Sequence, residues 1–115
     1  MSPEALCAFL VDAVRDVAPG IVSSFGRTGG LRFKYGHEAI TRVDGEVEKA
    51  LTARIRERFP SHRIIGEEEG ASGPREAAIR WTIDPIDGTL NYALGIPFFS
   101  TAMAVIDRAV WLLNR

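Results

Sequence analysis

A chain of 115 residues, 46% hydrophobic and 25% charged, has room for one globular domain with a modest core. A net charge of −1 leaves no basic excess, which argues against a general nucleic-acid binder or a membrane-surface binder. The lone cysteine, Cys7, excludes an intramolecular disulfide and points to a reducing, cytoplasmic setting.

The N-terminus does not read as a signal peptide, because Glu4 and Asp12 interrupt it and no basic stretch precedes the apolar residues. Ser2-Pro3-Glu4 reads instead as a helix N-cap, a proline in the first turn and an acid near the positive dipole end. Leu6, Phe9, Leu10, Ala13, Val14, Val17, Ile21, Val22 and Phe25 recur at helical spacing and predict a long amphipathic helix, interrupted near Pro19-Gly20. Cys7 falls on its apolar side and is expected to be a small buried hydrophobe. Gly26 to Gly30 is a break, and Arg32, Lys34 and His37 follow in a loop or short strand.

Thr41 with Asp44 resembles a capping box that has Asp in place of Glu. Val47, Ala50, Leu51, Ile55 and Phe59 are the expected buried stripe of the second helix. Glu46, Glu48, Lys49, Arg54, Arg56 and Arg58 are its expected wet face. Arg63-Ile64-Ile65 reads as a short strand ending at Gly66, followed by the acidic run Glu67-Glu68-Glu69 and a surface loop from Ala71 to Glu76. Ile79 to Ile83 is the next strand. Phe98 to Ile106, entered through Gly95-Ile96-Pro97, is another, poor enough in charge to be covered on both faces. Asp107-Arg108 suggests a hairpin turn, with Ala109 to Leu113 starting the returning strand. The longest weakly polar stretch, Tyr92 to Ile106, is broken by Gly95 and Pro97 and is short of the roughly 20 residues a membrane span takes.

The stretch with the most chemistry is Asp84-Pro85-Ile86-Asp87-Gly88-Thr89. Pro85 is expected to stop the preceding strand, and Asp87 to cap a helix whose first turn offers the N–H groups of Gly88 and Thr89. Carboxylate oxygens suit hard cations such as magnesium, and free N–H groups at a helix start suit phosphate. Together they suggest metal-assisted chemistry on a phosphate ester. The competing reading is that Asp84 and Asp87 only cap a tight turn.

Asp84-Pro85-Ile86-Asp87-Gly88-Thr89-Leu90-Asn91 resembles the signature of the inositol monophosphatase family, which are magnesium-dependent, lithium-sensitive phosphatases. Pro60 to Glu68 and Thr41 to Glu48 agree with the same family in order and distance. The resemblance runs from about Ala5 to about Asp107 and corresponds to the N-terminal part of a member. It implies an α/β layered sugar-phosphatase fold in which a helix pair packs on a mostly antiparallel sheet. Residues 1–115 are then the N-terminal part of the domain, with the C-terminal half absent.

By the same resemblance, Glu67, Asp84 and the Ile86 carbonyl bind a first Mg²⁺, and Asp84 bridges to a second that Asp87 also holds. Thr89 and Glu67 position or deprotonate the attacking water, and the N–H groups of Gly88 and Thr89 hold the substrate phosphate. Two readings of Asp44 stand: a helix cap, and an outer metal ligand bound directly or through water. Lys34 is either the family's lysine that organises the metal site or an ordinary solvated one. The family's later aspartate, in a W-D-x-A-A-G-type segment, has no counterpart here.

The implied reaction is magnesium-dependent hydrolysis of a phosphate monoester, with inositol monophosphate as the small phosphorylated substrate. Within the superfamily, a 3′(2′),5′-bisphosphate nucleotidase or a fructose-1,6-bisphosphatase is the alternative. A non-catalytic metal-binding remnant is the alternative from another class. Strand Phe98–Ile106 is expected to lack partners, and such an exposed apolar edge predicts self-association, a homodimer being its simplest form.

Overall fold

The computed structural model describes residues 1–27, 31–34 and 38–108. Helix α1 spans Pro3–Ser24, strands β1 and β2 span Arg32–Lys34 and Glu38–Ile40, and helix α2 spans Arg42–Arg58. Strands β3 (Arg63–Gly66), β4 (Gly70–Ser72) and β5 (Ile79–Asp87) follow, then the short helix α3 (Thr89–Ala93) and strand β6 (Ser100–Asp107). β1 and β2 form a small antiparallel ribbon. The main sheet runs β4-β3-β5-β6, parallel between β3 and β5 and antiparallel at the other two pairings. The architecture is therefore α/β, a helix pair on a mostly antiparallel sheet.

α1 begins as its sequence dictates, with the Ser2 hydroxyl accepting the Ala5 N–H at 3.1 Å. It then runs unbroken through Pro19, where an interruption was expected. The buried Ile21 in the next turn anchors the far side, and its carbonyl accepts the Tyr92 hydroxyl at 2.6 Å. Tertiary contacts thus offset the hydrogen bond that Pro19 cannot make. Two residues assigned to the apolar stripe point outward: Cys7 is exposed and Val22 is 70% exposed.

α2 carries both halves of its capping box: the Asp44 N–H donates to the Thr41 hydroxyl, and the Thr41 N–H donates to Asp44 Oδ2 at 2.8 Å. Its inner face is Val43, Val47, Leu51 and Ile55, while Ala50 is exposed. Glu48, expected on the wet face, is fully buried.

The core joins both helices to one face of the sheet through Leu6, Ala13, Leu51, Ile55, Trp81 and Ile83. Aromatic rings concentrate there. The Phe9 ring stands edge-on to Phe59 at 5.0 Å and to Trp81 at 5.6 Å, and His62 stacks on Phe59 at 4.6 Å. Each such pair adds about 0.5–1.5 kcal/mol beyond area burial.

Trp81 Nε1 donates to His62 Nδ1 at 2.9 Å, so that nitrogen must stay unprotonated. Burial, with the N-terminal charge adding to it, lowers the His62 pKa below 6.5. The unfolded chain therefore binds the proton more readily than the folded one. Stability from this group is complete above about pH 6.5 and is lost as pH falls below that value. Urea midpoints should drop between pH 7.5 and 5.5, and His62→Gln, which keeps an acceptor but cannot titrate, should flatten that part of the drop.

The strands depart from expectation at three places. β5 does not stop at Pro85 but continues to Asp87, with an irregularity in its ladder to β6 between Asp84 and Asp87. A bulge is where a residue without an N–H is tolerated, and the freed Pro85 carbonyl accepts the Thr101 hydroxyl at 2.7 Å. The loop after the acidic run contains strand β4. β6 starts at Ser100 and, contrary to expectation, has a partner, pairing with β5 from Ile79↔Asp107 to Asp87↔Ser100. Its burial alternates, so one face packs toward the helices and the other, with Ala102, Ala104 and Ile106, faces outward. The expected returning strand Ala109–Leu113 and His37 lie outside the described residues. No helix among the described residues is long and apolar enough to cross a membrane.

Candidate active site

The carboxylates gather at the C-terminal ends of the parallel strands β3 and β5. Gly66 is registered against Ile83, and the Glu67 N–H donates to the Ile83 carbonyl at 3.0 Å. Glu67 therefore leaves β3 beside Asp84 on β5, and both line one depression of ≈ 320 Å³ with Thr82, Ala102 and Ala104. Asp84 Oδ1 is buried with no hydrogen-bond partner. A buried carboxylate oxygen without a donor is costly, and a hard cation would satisfy it.

Among the described residues no three His, Cys, Asp or Glu side chains converge into a ready-made metal cage. Magnesium seldom uses one: it is commonly held by one or two carboxylates, keeping waters and substrate oxygens for the rest. The pair Glu67 and Asp84 fits that pattern.

Asp87 is not brought into this depression. It ends β5, is exposed, and lines a second one with Gly88, Asn91, Phe98 and Ser100. Nor does it cap the following helix. Gly88 is the N-cap, in the left-handed conformation at φ 83°, with no side-chain cap. A Cβ at Gly88 would also sit 2.9 Å from the Phe98 carbonyl oxygen and 3.4 Å from Phe99 Cα. Gly88→Ala should therefore destabilise the chain by about 1–3 kcal/mol, read as a lower unfolding midpoint.

Thr89 begins α3, and its hydroxyl lies 2.8 Å from Asp44 Oδ1 and 2.9 Å from the Ile86 carbonyl, both acceptors. Asp44 is fully buried. Its other oxygen, Oδ2, accepts the Thr41 N–H and, at 2.6 Å, the Thr41 hydroxyl. One carboxylate thus caps α2 and fixes the Thr89 side chain across 45 residues of sequence.

Lys34, from β1, reaches into the acidic run: Nζ is 3.2 Å from both Glu68 oxygens and 4.0 Å from Glu67 Oε1. The Glu68 pKa is raised, chiefly by burial and further by Asp44 and Glu67, while Lys34 opposes the rise. The residue that sequence reasoning missed is Glu48. Oε1 accepts the Glu68 N–H at 2.8 Å and Oε2 the Glu69 N–H at 2.6 Å, which folds the acidic run into a turn. Gly66 leaves room for it, since a Cβ there would overlap the Glu48 carboxylate and force it to move. The one sequence signal was that Glu48 falls inside the Thr41–Glu48 motif.

A model of the inositol monophosphatase family matches residues 3–113. The chain is 35% identical over 97 residues to the Nus factor SuhB of Pasteurella multocida, covering 83% of this chain and 36% of that protein. It is 34% identical over 101 residues to a Thermotoga maritima protein named fructose-1,6-bisphosphatase/inositol-1-monophosphatase, covering 86% and 38%. A solved Thermotoga maritima IMPase superimposes with a TM-score of 0.81 at 30% identity, covering 90% of this chain and 40% of that one. The chain spans somewhat over a third of the length of these two curated relatives.

Proposed function

The chain belongs to the inositol monophosphatase family, and on that premise we propose that it carries residues for magnesium-dependent hydrolysis of a phosphate monoester, with an inositol monophosphate as substrate. The observation behind this reading is Asp84, which lines one depression with Glu67 and keeps its Oδ1 buried without a partner. Glu67, Asp84 and the Ile86 carbonyl would hold one Mg²⁺, the carbonyl through the lone pair that Thr89 does not use. Asp87, which lines the other depression, would hold a second ion together with Asp84. Bound magnesium supplies charge neutralisation on the phosphate and a water acidic enough to give hydroxide near neutral pH.

The chain's own groups do the orienting. The Thr89 hydroxyl has Asp44 and the Ile86 carbonyl as acceptors, so its oxygen can accept a hydrogen bond from the attacking water and take that water's proton as its own proton passes to Asp44. Asp44, buried behind Thr89 with donors on both oxygens, acts through that hydroxyl in this proposal and not as an outer metal ligand. Glu67, which lines the depression with Asp84, is the second group able to take the water's proton. The N–H groups of Gly88 and Thr89, at the start of α3, would bind phosphate oxygens. Lys34 balances the surplus negative charge of Glu67 and Glu68. A reducing cytoplasmic setting and a homodimer belong to the same reading.

The test is phosphate release from inositol 1-phosphate by this chain with magnesium and with EDTA, beside calorimetric magnesium binding. Release that requires magnesium supports the reading, and release indifferent to EDTA overturns it. Magnesium binding without release would support a metal-binding role without catalysis. A second reading, hydrolysis of a sugar bisphosphate, is favoured by the double name of the Thermotoga maritima relative. The same assay with fructose 1,6-bisphosphate, and with a 3′(2′),5′-bisphosphate nucleotide, decides between them.

A further inference from the structure

A second charged depression lies at the opposite end of the sheet from the acidic cluster. It measures ≈ 470 Å³ and is lined by Arg75, Glu76, Arg80, Ile106 and Arg108. Its construction follows from register. Arg80 near the start of β5 faces Ile106 on β6 across the antiparallel pair. The Arg108 N–H donates to the Ala78 carbonyl at 2.8 Å, carrying the pairing one step past β6, so Arg108 falls two residues beyond Ile106 on the same side. Arg75 comes in from the segment between β4 and β5. On the other neighbour, Arg63 of β3 is registered against Arg80, and its Nη1 is spent on the Gly73 carbonyl at 2.9 Å.

Three arginines therefore line one concavity in a protein of net charge −1. The carboxylate among them is Glu76, 3.7 Å from Arg108 Nη1 and 90% exposed. Like charges held on neighbouring positions of a sheet repel, and an anion between them removes that penalty. Guanidinium forks match phosphate oxygens two at a time. One orthophosphate is far smaller than the ≈ 470 Å³ depression, so a chain of phosphates fills it and reaches all three arginines better than a single phosphate does.

We propose that this depression is a binding site for an oligophosphate, held by Arg75, Arg80 and Arg108 against the wall formed by Ile106. It is separate from the acidic cluster. Arg80 and Asp84 are four residues apart on one strand, roughly 13 Å, beyond the reach of a single phosphate ester. The shared chemistry is a di- or triphosphate chain, either free or carried by a nucleotide.

The experiment is calorimetric titration of the 115-residue chain, at low salt and in EDTA, with pyrophosphate and separately with ATP. EDTA removes the metal on which the phosphatase reading depends, so either result leaves that reading untouched. One ligand per chain is expected for each titrant. The double variant Arg75→Gln/Arg108→Gln should weaken binding about tenfold or more while keeping the ligand-free unfolding midpoint, since both side chains are exposed. Glu76→Gln, which removes the competing carboxylate, should tighten it. ATP binding more tightly than pyrophosphate would assign a nucleotide, and equal affinities would assign the phosphate chain alone. No saturable binding of either, or unchanged affinity in the double variant, overturns the site.

Discussion

Asp84→Asn is expected to lower magnesium-dependent phosphate release by roughly a thousandfold, while the unfolding midpoint in EDTA stays level or rises. The two halves of this result come from one atom. Oδ1 of Asp84 is buried without a donor, an arrangement that costs folding energy when no cation is present. Asparagine has almost the same shape but no charge, so the desolvation penalty of the carboxylate falls. The reaction loses what the fold gains, because a neutral amide holds a hard cation far less well. Several kcal/mol of transition-state stabilisation disappear, at 1.36 kcal/mol per tenfold in rate. Urea unfolding in EDTA, magnesium calorimetry and phosphate release check the three terms separately. A variant with wild-type magnesium affinity, or one that unfolds much more easily in EDTA, would show that Asp84 serves the turn and not the metal.

The elements that carry strong local signals were legible in the chain. Ser2-Pro3-Glu4 and Thr41 with Asp44 set the starts of both long helices, because side-chain capping is a short-range interaction written in neighbouring residues. The path of β5 was not legible. Pro85 is a strand stop by its own chemistry, and only the bulge opposite Thr101 lets the strand pass through it. Asp87 was misread as a helix cap for the same reason: the chain stays extended one residue longer than the proline suggests, and Gly88 takes the turn. Pro19 failed as a breaker because Ile21 and Tyr92 hold the helix from outside it.

The site divides along the same line. Glu67 and Asp84 share a depression because β3 and β5 are parallel and in register, a fact of topology that neither segment states alone. The bond between Thr89 and Asp44 spans 45 residues, yet both positions fall inside recognisable motifs. What no local pattern revealed was which charges are inside. A glutamate next to an apolar Val47 on a helix reads as solvated, since surface glutamates far outnumber buried ones. Its burial depends on two N–H groups arriving from 20 and 21 residues away.

Glu48 should therefore be the most sensitive position that touches neither metal nor substrate. Glu48→Ala is expected to cost about 3–5 kcal/mol, because two charge-assisted hydrogen bonds vanish and the Glu68 and Glu69 N–H groups lose their acceptor. Glu48→Gln keeps the volume but turns an amide donor toward one of those N–H groups, so about 2 kcal/mol should be lost. Gly66→Ala approaches the same defect from the other side, since its methyl would push the carboxylate out of place. The acidic run places Glu67, so all three variants should also lose magnesium affinity although Glu67 and Asp84 are intact. Amide hydrogen exchange separates this mechanism from general unfolding: protection at Glu68 and Glu69 should fall in Glu48→Gln before protection at Trp81 and Ile83 in the core. A Glu48→Ala variant with the wild-type unfolding midpoint would refute the assignment. The residue thus works as an acceptor for the turn, and its charge is tolerable inside because each oxygen meets an N–H and because Lys34 lies against the neighbouring Glu68.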